Sequence, residues 1–193
     1  MDIRSEKTSQ ADIILYAAYN CIATKGYANT SLRDIADNAG VVLSQLNYYY
    51  KNKEGLFTEV IKMMIKKYRA EMTSRIQHGK TAVDKLKSLI GYYREVLENN
   101  PEIFRLLFDF SSLALFSEKF GSLLQSMYDD LADLIEKHIL IKDFANARLA
   151  HFAPQSVARM VIGAVFGTAI QVMLNPQNMG IADSLDTIEL IFA

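Results

Sequence analysis

Apolar residues return every third or fourth position along almost the whole chain, and the alternation that marks a β-strand is scarce. A helix with that period buries one stripe, and with no sheet available the stripes must pack on one another. The expected fold class is all-α. Ile14, Ala17 or Ala18, Cys21 and Ile22 mark a first helix over residues 10–25, stopped by Gly26. Leu32, Ile35, Ala36 and Ala39 mark a second, ended by Gly40. The hydroxyls of Thr30 and Ser31 open it, with Ser31 and Asp34 at capping-box spacing. A third short helix runs over about residues 42–48.

Beyond residue 53 the helices lengthen. Leu56, Val60, Met63, Met64 and Tyr68 set the inner face of 55–77, and Leu86, Leu89, Ile90, Tyr93 and Leu97 that of 81–99. Residues 102–116 are strongly apolar, 120–141 follow, Pro154 opens another helix ended by Asn175-Pro176, and 183–193 make a last short one. Nine helices or so result. The change of scale at 53 is the single boundary the pattern offers, giving domains 1–53 and 54–193.

Charge narrows the partners. The net charge is −1 over 193 residues, so attraction for nucleic acid must come from local placement of cations. Over residues 1–55 six Lys or Arg face six Asp or Glu. The one cysteine, Cys21, excludes an intrachain disulfide, and residues 1–10 hold Arg4, Glu6 and Lys7 and no apolar core, so a cytoplasmic location is expected. Residues 156–174 could be mistaken for a membrane span. Their uninterrupted apolar part falls short of the ~20 residues a bilayer needs, and Arg159, Thr168 and Gln171 break it; a buried or interface helix is expected, with no membrane partner.

Two short helices joined at Ala39-Gly40-Val41, with a third to brace them, form a helix-turn-helix. The residues make this specific. The segment GYANTSLRDIADNAGVVLSQLNYYYKNKEGLF, residues 26–57, resembles the DNA-binding domain of TetR-family transcriptional regulators. Gly26-Tyr27, Thr30-Ser31, Ile35-Ala36, Ala39-Gly40-Val41, Tyr48-Tyr49, Lys51 and Lys53-Glu54 with Leu56 carry the match. It implies an amino-terminal, homeodomain-like three-helix domain followed by a larger helical domain that binds a small effector and dimerises through its last two helices.

A helix fits the major groove of ~12 Å, with its first turns against base edges. Leu43, Ser44, Gln45 and Asn47 hold those positions: Gln45 suits adenine, Ser44 donates or accepts, Leu43 suits a thymine methyl, and Asn47 can read adenine. Arg33, at a position that often reads bases in the family, is the candidate for guanine. Tyr48, Tyr49 and Lys53, with Thr30 or Ser31 at the start of the second helix, are the expected phosphate contacts. Tyr50, where the family usually has Phe, is expected to pack inward. The segment departs from the family at Val42, which replaces a Ser or Thr N-cap at a cost of about 1 kcal/mol. It departs also at Ser44, commonly Gly, and Asn47, commonly Tyr.

In the rest of the chain, Ile162, Gly163, Phe166, Gly167 and Ile170, with Leu190, Ile191 and Phe192, are the expected homodimer interface, the two glycines allowing close approach. The effector, expected to be apolar or amphipathic, has a pool of Met64, Tyr68, Tyr93, Phe104, Phe108, Phe116, Met127, Tyr128, Met160 and Phe166 to draw on; Arg94 and Arg105 are candidate orienting groups. Catalytic signals are poor. His78, His138 and His151 are scattered, metal-ligand spacing and a phosphate loop are lacking, and Asp129, Asp130, Asp133 and Glu136 read as a solvated acidic face. The expectation is a ligand-responsive repressor that binds a palindromic double-stranded operator as a dimer, with no catalytic residue, cofactor or metal. An all-α hydrophobic-ligand carrier or enzyme with a vestigial helix-turn-helix is the alternative.

Overall fold

A computed structural model describes residues 9–140, 149, 151–178 and 180–192, with the backbone alone at 191 and 192. Ten helices and no strand occur among them. In order they are α1 (Gln10–Lys25), α2 (Leu32–Ala39), α3 (Leu43–Tyr49), α4 (Lys53–Gln77), α5 (Ala82–Asn99), α6 (Glu102–Ala114), α7 (Glu118–His138), α8 (Pro154–Leu174), α9 (Gly180–Asp183) and α10 (Thr187–Phe192). The chain is all-α. Contacts divide it into two compact units, Met1–Met64 and Ile65–Ala193, and the division falls inside α4, further along than the change of helix scale at 53.

In the first unit, α1 packs on α2 and α2 on α3. Ser9 and Asp12 close a capping box on α1, and Ser31 and Asp34 close one on α2, each satisfying N–H groups that a helix start leaves open. Gly40 sits at φ 66°, the left-handed region glycine enters without a Cβ penalty. From there the Val41 N–H reaches the Ala36 carbonyl at 3.0 Å and turns the chain into α3. Ile14, Ala18, Ile22, Ile35, Leu46, Leu56 and Phe57 fill the core.

In the second unit α6 packs on α7, α7 on α8, and α5 on both α8 and α10. Leu86, Phe104, Phe110, Ala132, Val165 and Ala169 are buried between them. Three of the differences between the helix limits and the periodicity have a visible local cause. α4 begins at Lys53 because the Asn52 side chain accepts the Gly55 N–H at 2.7 Å. α6 ends at Ala114, because Ser117 breaks the run and caps α7 by accepting the Phe120 N–H. The expected last helix is two, α9 and α10. Between them the hydroxyls of Ser184 and Thr187 donate to carbonyls three residues back, at 2.7 and 2.6 Å, tightening the turn.

By length and composition α8 suffices to cross a membrane, yet its two sides differ. Val157, Ala158, Val161, Ile162, Val165 and Ala169 are buried within the unit. Met160, Gly163, Ala164, Ile170 and Leu174 are exposed, and they recur at the same three-to-four spacing on the opposite side.

Candidate nucleic-acid interface and effector site

A helix as short as α3 can bury one stripe, and Leu46 is that stripe. Around it Ser44, Gln45, Asn47, Tyr48 and Tyr49 face solvent, and Leu43 is half-buried at the first turn. Arg33 is exposed on α2. Of the side chains expected to read bases, Arg33, Ser44, Gln45 and Asn47 are thus left exposed by the unit's own core and Leu43 is half-buried, on a short α3 that buries one leucine and on α2.

The tyrosines split two and one. Tyr48 is 83% exposed and meets the Tyr49 ring edge-on at 5.2 Å between centroids. Tyr50 turns inward, and its hydroxyl donates to the Ala11 carbonyl on α1 at 3.2 Å. Burial pushes that phenol's pKa up, so it stays a neutral donor.

Thr30 is placed otherwise than a phosphate contact requires. It is 2% exposed, and its hydroxyl reaches the Gly26 carbonyl at 2.8 Å and that of Cys21 at 3.2 Å, tying the end of α1 to the start of α2. Ser31 is exposed but engaged. Its N–H donates to the Asp34 carboxylate at 2.8 Å, its hydroxyl donates there too, and its Oγ accepts the Asp34 N–H at 3.1 Å. Those bonds, side chain first, and Lys25 at 3.3 Å hold the Asp34 carboxyl down at about 2. The burial of Thr30 corrects the expectation that its hydroxyl receives a phosphate, while the exposed Ser31 is already engaged in the capping box with Asp34.

Lys53 opens α4, half-buried, with its ammonium 4.3 Å over the Tyr27 ring, which in turn lies 4.5 Å from Phe57. Burial lowers the lysine's pKa. At the start of α3 the Val42 side chain makes no capping hydrogen bond, and among the described residues no other side chain is seen bonding the first N–H groups. The Val42 carbonyl instead accepts from the N–H groups of Gln45 at 2.9 Å and Leu46 at 3.2 Å.

In the second unit Phe166 is the hub of an aromatic cluster. Phe104, Phe108 and Tyr128 stand 6.0, 6.3 and 5.6 Å from it, centroid to centroid. Tyr93 and Tyr128 have pKa values pushed up by burial, and Ser111 hydrogen-bonds Tyr128. Ile162, expected at the dimer interface, is buried within the chain at 3% exposure, and Phe166, expected there too, is half-buried with its ring in this cluster. Gly163, Gly167, Ile170 and Leu190 remain exposed or half-exposed, and a Cβ built on either glycine meets nothing within 4 Å. The side chains of Ile191 and Phe192 lie outside the described residues. On the helical wheel 160, 163, 167, 170 and 174 share the exposed side of α8, with Ile162 turned away from it and Phe166 at its border.

The two arginines also sit elsewhere than a pocket. Arg105 is exposed. Arg94 donates to Asp183 at 2.9 Å, Asp186 at 2.7 Å and the Ala182 carbonyl at 3.3 Å, clasping α9 and the turn after it to α5. Its fork is committed to the fold. Tyr68, the remaining expected effector residue, lines a separate cleft of about 280 Å³ between α4 and α5. In that cleft the Tyr92 hydroxyl donates to Glu71 at 3.0 Å and Arg75 pairs with Glu95 at 2.7 Å, so these four side chains already hold partners.

Known proteins agree with this arrangement. The family described as bacterial regulatory proteins, tetR family, matches residues 14–60. The transcriptional regulator RutR of Escherichia coli O157:H7 is 30% identical over 152 residues, 77% of this chain and 68% of RutR. The fatty acid metabolism regulator of Bacillus subtilis is 26% identical over 185 residues, 92% and 91% of the two chains. The fold resembles that of FadR from Bacillus subtilis, solved in complex with stearoyl-CoA, with a TM-score of 0.68, 19% identity and coverage of 93% and 96%. At the identity and coverage RutR provides, the likeness is one of descent as well as fold, and the chain belongs to the TetR family of bacterial transcriptional regulators.

Proposed function

We propose that this TetR-family protein is a cytoplasmic repressor that binds a palindromic operator as a homodimer and releases it on taking up a long-chain acyl effector. One observation carries the DNA half: Arg33, Ser44, Gln45 and Asn47 are polar, exposed and set on α2 and on an α3 anchored through Leu46. Arg33 suits guanine, and Gln45 and Asn47 suit adenine. Tyr48 and Tyr49 supply hydroxyls for phosphate oxygens, and Lys53 a cation at a helix start, fixing register without reading sequence.

Dimerisation is supported by the exposed side of α8. Met160, Gly163, Ala164, Gly167, Ile170 and Leu174 form an apolar stripe whose glycines let a second α8 approach closely. Two copies present two α3 helices to two half-sites, adding the contacts that one short helix lacks.

The acyl effector is supported by the ring cluster around Phe166, an apolar environment with Tyr93 and Tyr128 as neutral polar groups, and by the stearoyl-CoA bound in the Bacillus subtilis structure. Release follows when the effector binds better to a dimer whose α3 helices no longer match the half-site spacing.

The test is titration of the full chain against its own upstream DNA at moderate salt, with stearoyl-CoA, stearate and coenzyme A as probes. Gln45→Ala and Tyr48→Ala should each weaken the complex about ten- to a hundredfold, with melting temperature unchanged because both side chains are exposed. Stearoyl-CoA should release the DNA and coenzyme A should not. Equal affinity for random DNA in all variants would sink the DNA reading; a complex indifferent to all three probes would sink the acyl effector alone.

A further inference from the structure

Val42 is 67% exposed at the N-cap of α3, where its side chain makes no capping hydrogen bond. A single exposed valine means little by itself. This one stands where Ser, Thr, Asp or Asn would close the helix, and each of those would stabilise it. Its neighbour Val41 is half-buried and Leu46 is fully buried, so the unit's core has apolar anchors without it. Val42 thus sets a branched, largely exposed apolar group at the tip of the helix proposed to read bases, at a position where a capping side chain would stabilise the helix.

We infer that Val42 is a specificity-determining residue that reads the C5-methyl group of a thymine in each half-site. The inference rests on the reading of α3 as the groove-entering helix. The thymine methyl is the apolar feature of the major-groove edges, and apolar side chains are its complement. Val42 is stiff at χ1 and presents two methyl groups with little rotamer freedom to lose on contact. In the residues that follow, Ser44, Gln45 and Asn47 carry the hydrogen-bonding half of the readout. Leu43 is the rival for the same methyl, and it is half-buried, less open to a partner than Val42.

Replacing thymine by uracil removes the methyl group and leaves base pairing intact. Full-length protein selects its preferred duplex from a random pool, and each thymine of that duplex is then changed to uracil in turn. At one position per half-site the wild-type protein should lose affinity by roughly three- to tenfold. Val42→Ala and Val42→Ser should bind the thymine and uracil duplexes equally. Val42→Ser, which restores a capping hydroxyl, should also melt at a higher temperature, so its loss of discrimination cannot come from misfolding. A thymine preference that persists undiminished in both Val42 variants, or that vanishes only in Leu43→Ala, overturns the assignment. Failure of the wild-type protein to select any duplex removes the base-reading proposal for α3 as well, and is distinguished by that.

Discussion

The two units differ in a set of polar side chains that one leaves exposed and the other ties down. In the first, Arg33, Ser44, Gln45 and Asn47 face solvent on helices that are held through Ile35, Ala36 and Leu46. In the second, Arg69 pairs with Asp130, Arg94 with Asp183 and Asp186, and Arg159 with Asp129, and Gln155 bonds both Asp133 and Glu136. The acidic run on α7 is thus a set of fastenings between helices as well as a solvated face. A polar group left unmatched at home is a better sign of a partner than one that merely has apolar neighbours. Arg94 illustrates the second case: flanked by tyrosines and leucines in sequence, it serves the fold.

Three measurements can break or sharpen that contrast. The largest effect is expected at Leu46, where Leu46→Ala removes the sole buried side chain of α3. Urea unfolding should show a loss of about 2–5 kcal/mol, and operator binding should go with it. Retained binding with unchanged stability would mean the exposed set does not depend on this anchor. Next is Arg94→Ala. It should lower stability by about 1 kcal/mol, since its ion pairs are partly solvated, and leave stearoyl-CoA uptake by the Phe166 cluster unaltered. Lost uptake in a stable variant would return Arg94 to the ligand.

The smallest effect concerns pH. The Asp34 carboxyl titrates at about 2 when folded, below its ordinary 3.8, so its contribution is present above about pH 4 and fades as pH falls through 2. An NMR titration of Asp34 should give a midpoint near 2. A midpoint near 4 would mean the capping box at Ser31 is open in solution.

Much of the first unit was legible in the sequence because its determinants are neighbours. Ser31 and Asp34, Gly40 and the Tyr48-Tyr49 pair act within a few residues of themselves, and local spacing reports them. Thr30 was misread because its partners, the carbonyls of Cys21 and Gly26, are backbone groups that no residue pattern marks. In the second unit the deciding contacts are distant. Arg94 meets Asp183 and Asp186 far along the chain, and Phe166 gathers rings from α6 and α7. Helical period said that α8 is apolar; which apolar residues turn inward depended on helices it could not see.

The capping pattern has a thermodynamic corollary. α1, α2 and α5 each begin with a reciprocal side-chain lock, at Ser9 and Asp12, Ser31 and Asp34, and Thr81 and Asp84, while the shorter α3 begins with none. A helix of that length lies far below the ~12–15 residues needed to persist alone in water, so its order is lent by Leu46 on one side and by whatever meets its open end on the other. With α3 as the groove-entering helix proposed above, recognition would carry a component of local folding: an ill-fitting duplex would forfeit base contacts and also leave α3 freer to fray. Discrimination between sequences would in that measure be a difference in how well each one finishes the protein's own secondary structure.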